Sequence, residues 1–375
     1  MSEVERDELA AYLALAQIPG IGAARLRTLI AAFASAGAVL QAPHGAIAAL
    51  PGLSRAAATA IRGVSLRSGH DILDALERLG ATVLLPGDAG FPPLLTEIPD
   101  PPAFLYAWGD LTLLARPAAA LVGSRDHSPY GAAAARLLAS GVAQRAVVVS
   151  GMARGLDAVA HGAALDAGGG TVGVLGNGFG VVYPAANRAL YDRMIAQGCL
   201  LTELPPGERP HAGAFPRRNR LISGLAGVTV VVEAAPGSGA LITADCALDQ
   251  GRTVLAVPGP ITSPTSLGCN KLIQQGAKPA LSPEDILEEL GLGSLAASYH
   301  VAAAGQSARL SPPELTGLQL VLWRALQQEA RHVDALVAAV DTGAGVATAD
   351  VLTALTELEL RGVVRQSPGM VFGLV

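Results

Sequence analysis

Lysine is almost missing from these 375 residues: Lys271 and Lys278 are the only two among 26 basic residues, so nearly every cation is a guanidinium able to grip phosphate with two hydrogen bonds. Cysteine is nearly as scarce. Cys199, Cys246 and Cys269 are odd in number, far apart and without CxxC spacing, which argues against metal or redox work and leaves them as reduced thiols in or near the core. Aromatic residues make up 4% and charged residues 15%, against 51% hydrophobic residues and 44 glycines. Such a chain packs Ala, Val and Leu, turns at glycine, and is too apolar for disorder over most of its length. No uninterrupted apolar run approaches the about 18 residues that signal a membrane helix. The acidic start MSEVERDE also lacks the cationic stretch of a secretory signal, so a cytoplasmic protein without membrane contact is expected. The length exceeds one typical core, which predicts two or three domains.

A formal net charge of -5 still leaves room for a basic groove. Counting Lys and Arg against Asp and Glu, residues 120 to 280 carry 13 against 9, a balance of +4, and residues 1 to 70 carry six against four. Residues 311 to 375 carry four against seven, a poor surface for a polyanion. Anion binding therefore belongs to the middle of the chain, with the N-terminus as a second contributor.

Within that middle, FPRRNRLISGLA (215 to 226) sets Phe215, Arg217, Arg218, Asn219 and Arg220 at the head of a helical pattern. A helix N-terminus carries unpaired amides and a partial positive charge, so arginines there make an anion site suited to phosphate. Phe215 offers a face for an unpaired base. A solvated arginine cluster capped by a core phenylalanine fits the same residues.

Three segments follow from periodicity and punctuation. In residues 1 to 75, LAQIPGIGAARLRTLIAAF leads through Pro19-Gly20-Ile21-Gly22 into a helical pattern at Leu26, Leu29, Ile30 and Phe33. It looks like a helix-hairpin-helix in a helical, SAM-like domain, a hairpin whose amides face a DNA phosphate without reading sequence. A degenerate second copy stands at Leu50-Pro51-Gly52-Leu53-Ser54. A small helical bundle whose glycines only permit tight packing is the alternative.

Residues 76 to 290 alternate strand-like strings (AAALVG, VVVSG, TVGVLG, VTVVVE, TVLAVPG) with helical runs, the pattern of a doubly wound, mostly parallel Rossmann-like α/β domain. Ligands of such sheets sit beyond the carboxyl ends of the strands. Those ends are Gly123-Ser124-Arg125, Ser150-Gly151-Met152-Ala153-Arg154-Gly155, Gly176-Asn177-Gly178 and Pro236-Gly237-Ser238-Gly239, and they are expected on one edge. Residues 291 to 312 read as a linker, and 313 to 375 as a winged-helix-like module whose acidic balance favours protein contact or a structural role over DNA.

No catalytic constellation assembles. SGMARGLDAVAH holds Ser150, Asp157 and His161, but without G-x-S-x-G or a third orienting group the spacing does not make a triad. Asp157 and His161 share a helix face, where a side-chain pair or a contact to a neighbouring strand is the simpler reading. G-x-G-x-x-G is absent after the first strand, Gly176-Asn177-Gly178-Phe179-Gly180 only echoes it, and Walker A is absent, so neither a nucleotide cofactor nor a metal is expected. What remains is a set of glycine loops with Arg125, Arg154, Arg188, Arg217, Arg218 and Arg220, suited to an extended phosphate backbone, best of all single-stranded nucleic acid. Some of these arginines are expected to pair with acids, as Arg125 adjoins Asp126.

The motifs, in their order, resemble the DprA family, DNA-processing protein A, also called Smf. The matching strings are VGSR, SGMARGLDAVAH, VLGNGFGVVYPAANRAL, LTELPPG, FPRRNRLISGLAGVTVVVEA, SGALITADCALDQGR, VPGP and SLGCNKLIQQGA, which together span nearly all of the middle domain. The resemblance implies a non-enzymatic protein of natural transformation that binds single-stranded DNA, loads the RecA recombinase and overcomes single-strand-binding protein. It implies a homodimer through roughly Ser266 to Leu290. The DNA-binding set expected on all these grounds is Gly123, Ser124, Arg125, Ser150, Gly151, Arg154, Gly155, Arg188, Phe215, Arg217, Arg218, Asn219, Arg220, Gly237, Ser238, Gly239 and Lys271. Lysines that other members carry near YPxxN and before FP are absent, and Arg188 and Arg209 stand nearby instead. The fold also resembles the nucleoside-phosphate hydrolases of the lysine decarboxylase-like group, whose motif PGGxGTxxE ends in a catalytic glutamate. Here PGSGALITA puts Thr243 or Ala244 at that place, which removes the general acid-base group.

Overall fold

Serine opens four of the first six helices, because its side chain accepts a hydrogen bond from an otherwise unpaired first-turn amide. Ser2 caps α1 (Glu3–Ala16) in a capping box with Glu5, Ser35 caps α3 (Ala36–Gln41), Ser54 caps α5 (Arg55–Arg62), and Ser65 caps α6 (Leu66–Leu79). The exceptions are α2 (Ala23–Phe33), opened by Gly22, and α4 (His44–Ala48), opened by Pro43. Helices α1 and α6 cross at Gly69, where an added Cβ would lie 1.9 Å from the Ala10 carbonyl oxygen. Arg6 binds Asp74 and Glu77 across the same pair. The expected boundary at residue 75 falls inside α6, which runs almost directly into the first strand.

The computed structural model describes residues 2–293, 315, 317–327, 331–340, 347–361, 363–367 and 370–374. They form two compact units, Met1–Ser298 and Tyr299–Val375. In the first, β1 (Thr82–Leu84) and β2 (Leu105–Gly109) precede the repeating part. That part comprises β3 (Ala118–Val122), α7 (Pro129–Ala143), β4 (Val147–Ser150), α8 (Leu156–Asp166), β5 (Thr171–Val174), α9 (Arg188–Gln197), β6 (Cys199–Thr202), α10 (Ala214–Gly224), β7 (Val228–Val231), α11 (Gly239–Asp249), β8 (Thr253–Ala256), α12 (Leu267–Gln274), β9 (Lys278–Pro279) and α13 (Pro283–Glu289).

The strands form one nine-stranded sheet ordered β1-β2-β6-β5-β4-β3-β7-β8-β9. From β6 to β9 every pairing is parallel, whereas β1–β2 and β2–β6 are antiparallel. Strands β3 to β7 are buried throughout, as their unbroken apolar strings require of a sheet covered on both faces. Alternation divides their side chains. Ala120, Val122, Val147 and Val149 join α10, α11 and α12 in one core, and Ala119, Leu121 and Val148 join α7, α8 and α13 in another. The N-terminal helices share a third core with Tyr106, Leu200, Met194 and Phe179, so the helical segment is seated on the sheet and on α9.

The second unit holds α14 (Leu318–Ala325), β10 (Arg331–His332), α15 (Val333–Val340), α16 (Thr348–Leu360), β11 (Val364–Ser367) and β12 (Val371–Leu374) around Leu322, Leu336, Leu355, Leu358 and Phe372. The wing expected as two strands gains a third, since β12 pairs with both β10 and β11. The linker expected over 291 to 312 lies, beyond Gly293, outside the described residues. No described helix is long and apolar enough to cross a membrane.

Replacing Gly69 by alanine drives a methyl into backbone that has no room to yield. The G69A chain is expected to lose about 3 kcal/mol of stability, read as an earlier first urea transition. A wild-type midpoint would show that α1 and α6 can part there freely.

Candidate functional site

The strand order creates the site. From β3 the chain winds outward through β4, β5 and β6, then returns to β7 on the other side of β3 and winds the opposite way. The loops leaving β3 and β7 therefore diverge, and a crevice opens between them at the switch point. One wall is Gly123 to Asp126, the other is Ala235 to Ala240, and Phe215, Arg218 and Asn219 of α10 form the floor of a space of about 650 Å³. A recess of about 60 Å³ continues from it toward β4 and β5, adding Gly151, Arg154, Gly176 and Tyr183 to the lining.

Buried groups hold the loops in place. Glu233, at the end of the VVVE string, is 1% exposed. Its carboxylate accepts from Ser128 N at 2.9 Å, Ser128 Oγ at 2.6 Å and Thr265 Oγ1 at 2.9 Å, while its carbonyl accepts from Ser124 N at 2.8 Å. Three glycines serve their neighbours. Gly155 has φ +85° and an added Cβ would lie 2.5 Å from the Ser124 carbonyl oxygen; at Gly176 it would lie 2.8 Å from the Phe215 ring, and at Gly151 2.4 Å from the Arg218 guanidinium.

The predicted arginines have different fates. Arg125 is exposed, with its guanidinium carbon 5.6 Å from the Phe215 ring centroid, and the Tyr183 ring lies 5.6 Å from the same phenylalanine. Arg218 is buried: Nη1 donates to the carbonyls of Gly151 and Val174, and Nε has no acceptor among the described residues. Burial pushes its pKa down to about 10 despite the attraction of Asp157. Burial conversely pushes the Asp157 carboxyl up, with Arg218 pulling it back, and this carboxylate accepts from Gly151 N at 3.1 Å. Arg218 thus ties the ends of β4 and β5 to α10. Arg154 is exposed and paired with Asp126 at 2.9 Å.

Arg217 faces away from the crevice into a separate cleft beneath the first hairpin. Arg220 is held by Glu203 at 2.7 Å and Asp100 at 3.2 Å, outside the crevice. Arg188, at the head of α9, and Lys271, on α12 and 2.9 Å from Gln274 Oε1, line neither hollow. Ser150 lies below the surface, donating to the Leu121 carbonyl at 2.7 Å. Asn219 Nδ2 donates to the Gly239 carbonyl at 3.3 Å, and Ser238 caps α11, so Gly237, Ser238 and Gly239 form a fixed wall.

Two residues escaped the sequence reading. Tyr183 stands in YPAANR, where Arg188 is the conspicuous residue and the ring carries no signal of its own. Glu233 is a lone acid ending an apolar strand, and that placement was its signal. The position of the hydrolase glutamate falls, depending on register, on Thr243 or Ala244, both buried in α11.

His161 sits beneath the site with Nδ1 2.7 Å from Thr171 Oγ1 on β5. That hydroxyl donates to the Val148 carbonyl at 2.7 Å, so the ring is the donor at Nδ1. Burial pushes its pKa down to about 3. Between about pH 6.5 and this value the unfolded chain takes up a proton that the folded chain refuses, so the stability held above pH 6.5 is lost on acidification at up to about 1.4 kcal/mol per pH unit. Asp157, raised by burial, acts in the opposite sense. The urea midpoint of H161Q should therefore fall less steeply than that of wild type between pH 6.5 and 4, and parallel profiles would show that His161 does not titrate with folding.

Comparison with known proteins matches both units of the chain. Residues 82–291 match the family model of DNA recombination-mediator protein A, and residues 306–370 match the DprA winged helix domain. The chain is 42% identical over 289 residues to the Smf protein of Escherichia coli, covering 76% of each. It resembles the X-ray structure of DprA from Streptococcus pneumoniae with a TM-score of 0.67 and 34% identity, over 76% of this chain and 97% of that one. DprA of Helicobacter pylori, whose structure describes a single-stranded DNA binding mode, aligns with a TM-score of 0.51 and 28% identity over 56% of this chain and 95% of that one. With its middle domain and its winged-helix unit both matched, the chain belongs to the DprA/Smf family.

Proposed function

We propose that this protein binds single-stranded DNA in the switch-point crevice, works as a homodimer, and hands the strand to the RecA recombinase in place of single-strand-binding protein during natural transformation. The observation that carries the reading is the pairing of Arg125 with Phe215 in a glycine-walled crevice, with Tyr183 against the same phenylalanine from the adjoining recess. A guanidinium beside a ring that a second ring flanks offers phosphate and base their separate contacts, and neither contact depends on which base is present. The crevice is an open trough, suited to a strand that enters and leaves. The binding mode described for the Helicobacter pylori relative supports the same reading. The self-contact expected near Ser266 to Leu290 is supported by β9, a strand that pairs among the described residues only with β8, and by Leu267 and Leu281, which are 44% and 67% exposed. Asp157 and His161, engaged in buried bonds, are given no catalytic part.

The test is fluorescence anisotropy of labelled oligo-dT over a salt series, beside a duplex of the same length. Steep salt dependence is expected, with R125A flattening the slope by about one unit. F215A should lose about 2 kcal/mol with little change of slope, because a stacking face rather than a charge is removed. Failure of folded wild type to bind the single strand at low salt would sink the reading. Acceleration of RecA filament growth on a strand coated with single-strand-binding protein tests the second part, and no acceleration by a protein that binds DNA would leave only the binding role.

A further inference from the structure

The hairpin joining α1 to α2 faces the sheet domain. Ile18, Gly20 and Gly22 form one wall of a cleft of about 410 Å³, and Glu203, His211 and Arg217 stand on the other. Arg217 is exposed and has no partner among the described residues, while Arg220 Nη2 lies 2.7 Å from both oxygens of Glu203 and offsets its charge. Arg217 thus stands in the cleft as a cation that no acid among the described residues holds.

The hairpin itself leaves donors open and acceptors occupied. Arg25 donates to the Gly20 carbonyl and, at 2.9 Å, to the Gly52 carbonyl, fastening the two turns together. Gly22 supplies no side chain to cap α2, and the amides of Ala23, Ala24 and Arg25 have no acceptor among the described residues. The sister turn is closed, because Ser54 Oγ accepts from Ala57 N at 3.1 Å. An independent feature points to a ligand here. Arg218 is 6% exposed, its Nε has no acceptor among the described residues, and it borders this cleft as well as the crevice and the recess. The three hollows thus meet around the first turns of α10, with Leu175 and Gly176 shared between recess and cleft.

We infer that this cleft takes the backbone of the same single strand beyond the nucleotides at Phe215, with a phosphate between Arg217 and the uncapped start of α2. The inference rests on the single-strand reading above. It makes the N-terminal hairpin a subsite continuous with the crevice, and it sends the strand around α10.

Gly22→Asp tests it without unfolding the hairpin. The residue has φ -81°, and no atom lies within 4 Å of an added Cβ. Aspartate is a favoured N-cap, so α2 is not weakened, yet its carboxylate occupies the open amides and places negative charge in the cleft. Gly22→Ala adds a methyl and leaves the amides free. Anisotropy is read on oligo-dT of about 5 and about 15 nucleotides, lengths chosen to fill the crevice alone or to reach past it. G22D should bind the longer strand about fivefold more weakly, with unchanged binding of the shorter one and an undiminished melting temperature. G22A should match wild type on both. Wild-type binding of the longer strand by G22D, or an equal loss on both lengths, would overturn the subsite while leaving the crevice standing. A wild type that binds neither strand would overturn both.

Discussion

A guanidinium withdrawn from water organises this molecule. Arg218 lies among the ends of β4 and β5 and the start of α8, with two carbonyls and the Asp157 carboxylate for company. Breaking such a pair by removing one partner is expensive, about 3 to 5 kcal/mol, because the other charge stays buried. The consequence for the site is geometric. Arg218 fixes the first turns of α10, and with them Phe215 and Arg217 on opposite sides of one helix, so the crevice and the hairpin cleft inherit their positions from the same buried tie.

Around that tie, glycines and a second buried acid decide how close the loops come. Gly151 leaves room for the guanidinium, Gly176 for the Phe215 ring and Gly155 for the Ser124 carbonyl. Glu233 gathers Ser128, Thr265 and the Ser124 amide. Exposed charge is then sparse and placed: Arg154 is spent on Asp126 and Arg220 on Glu203, which leaves Arg125 and Arg217 to face solvent at the two hollows.

The sheet was legible in the sequence because a strand buried on both faces must be apolar without interruption, and AAALV, VVVS and VTVV read that way. The glycine loops at the strand ends were legible for the same reason. Burial of individual cations was not. Arg217, Arg218 and Arg220 are near neighbours, and a string of letters gives all of them one character; helical rotation sends one to a cleft, one to the core and one to an ion pair. Tyr183 was hidden by distance along the chain, since only the fold brings it to Phe215. The seating of the N-terminal helices on the sheet was equally invisible, because Tyr106 and Leu200 read as ordinary strand residues until their partners are known.

Arg125 rests beside the Phe215 ring, near enough to feel its electron-rich face. In the proposed binding mode, a base stacking on that face would displace the guanidinium and leave it to the phosphate of the same nucleotide. Ring and cation would then be claimed together, by one ligand that carries an aromatic plane and a phosphate. A free phosphate ion or an isolated base would satisfy half of that exchange, so the contact would favour nucleotides over their parts.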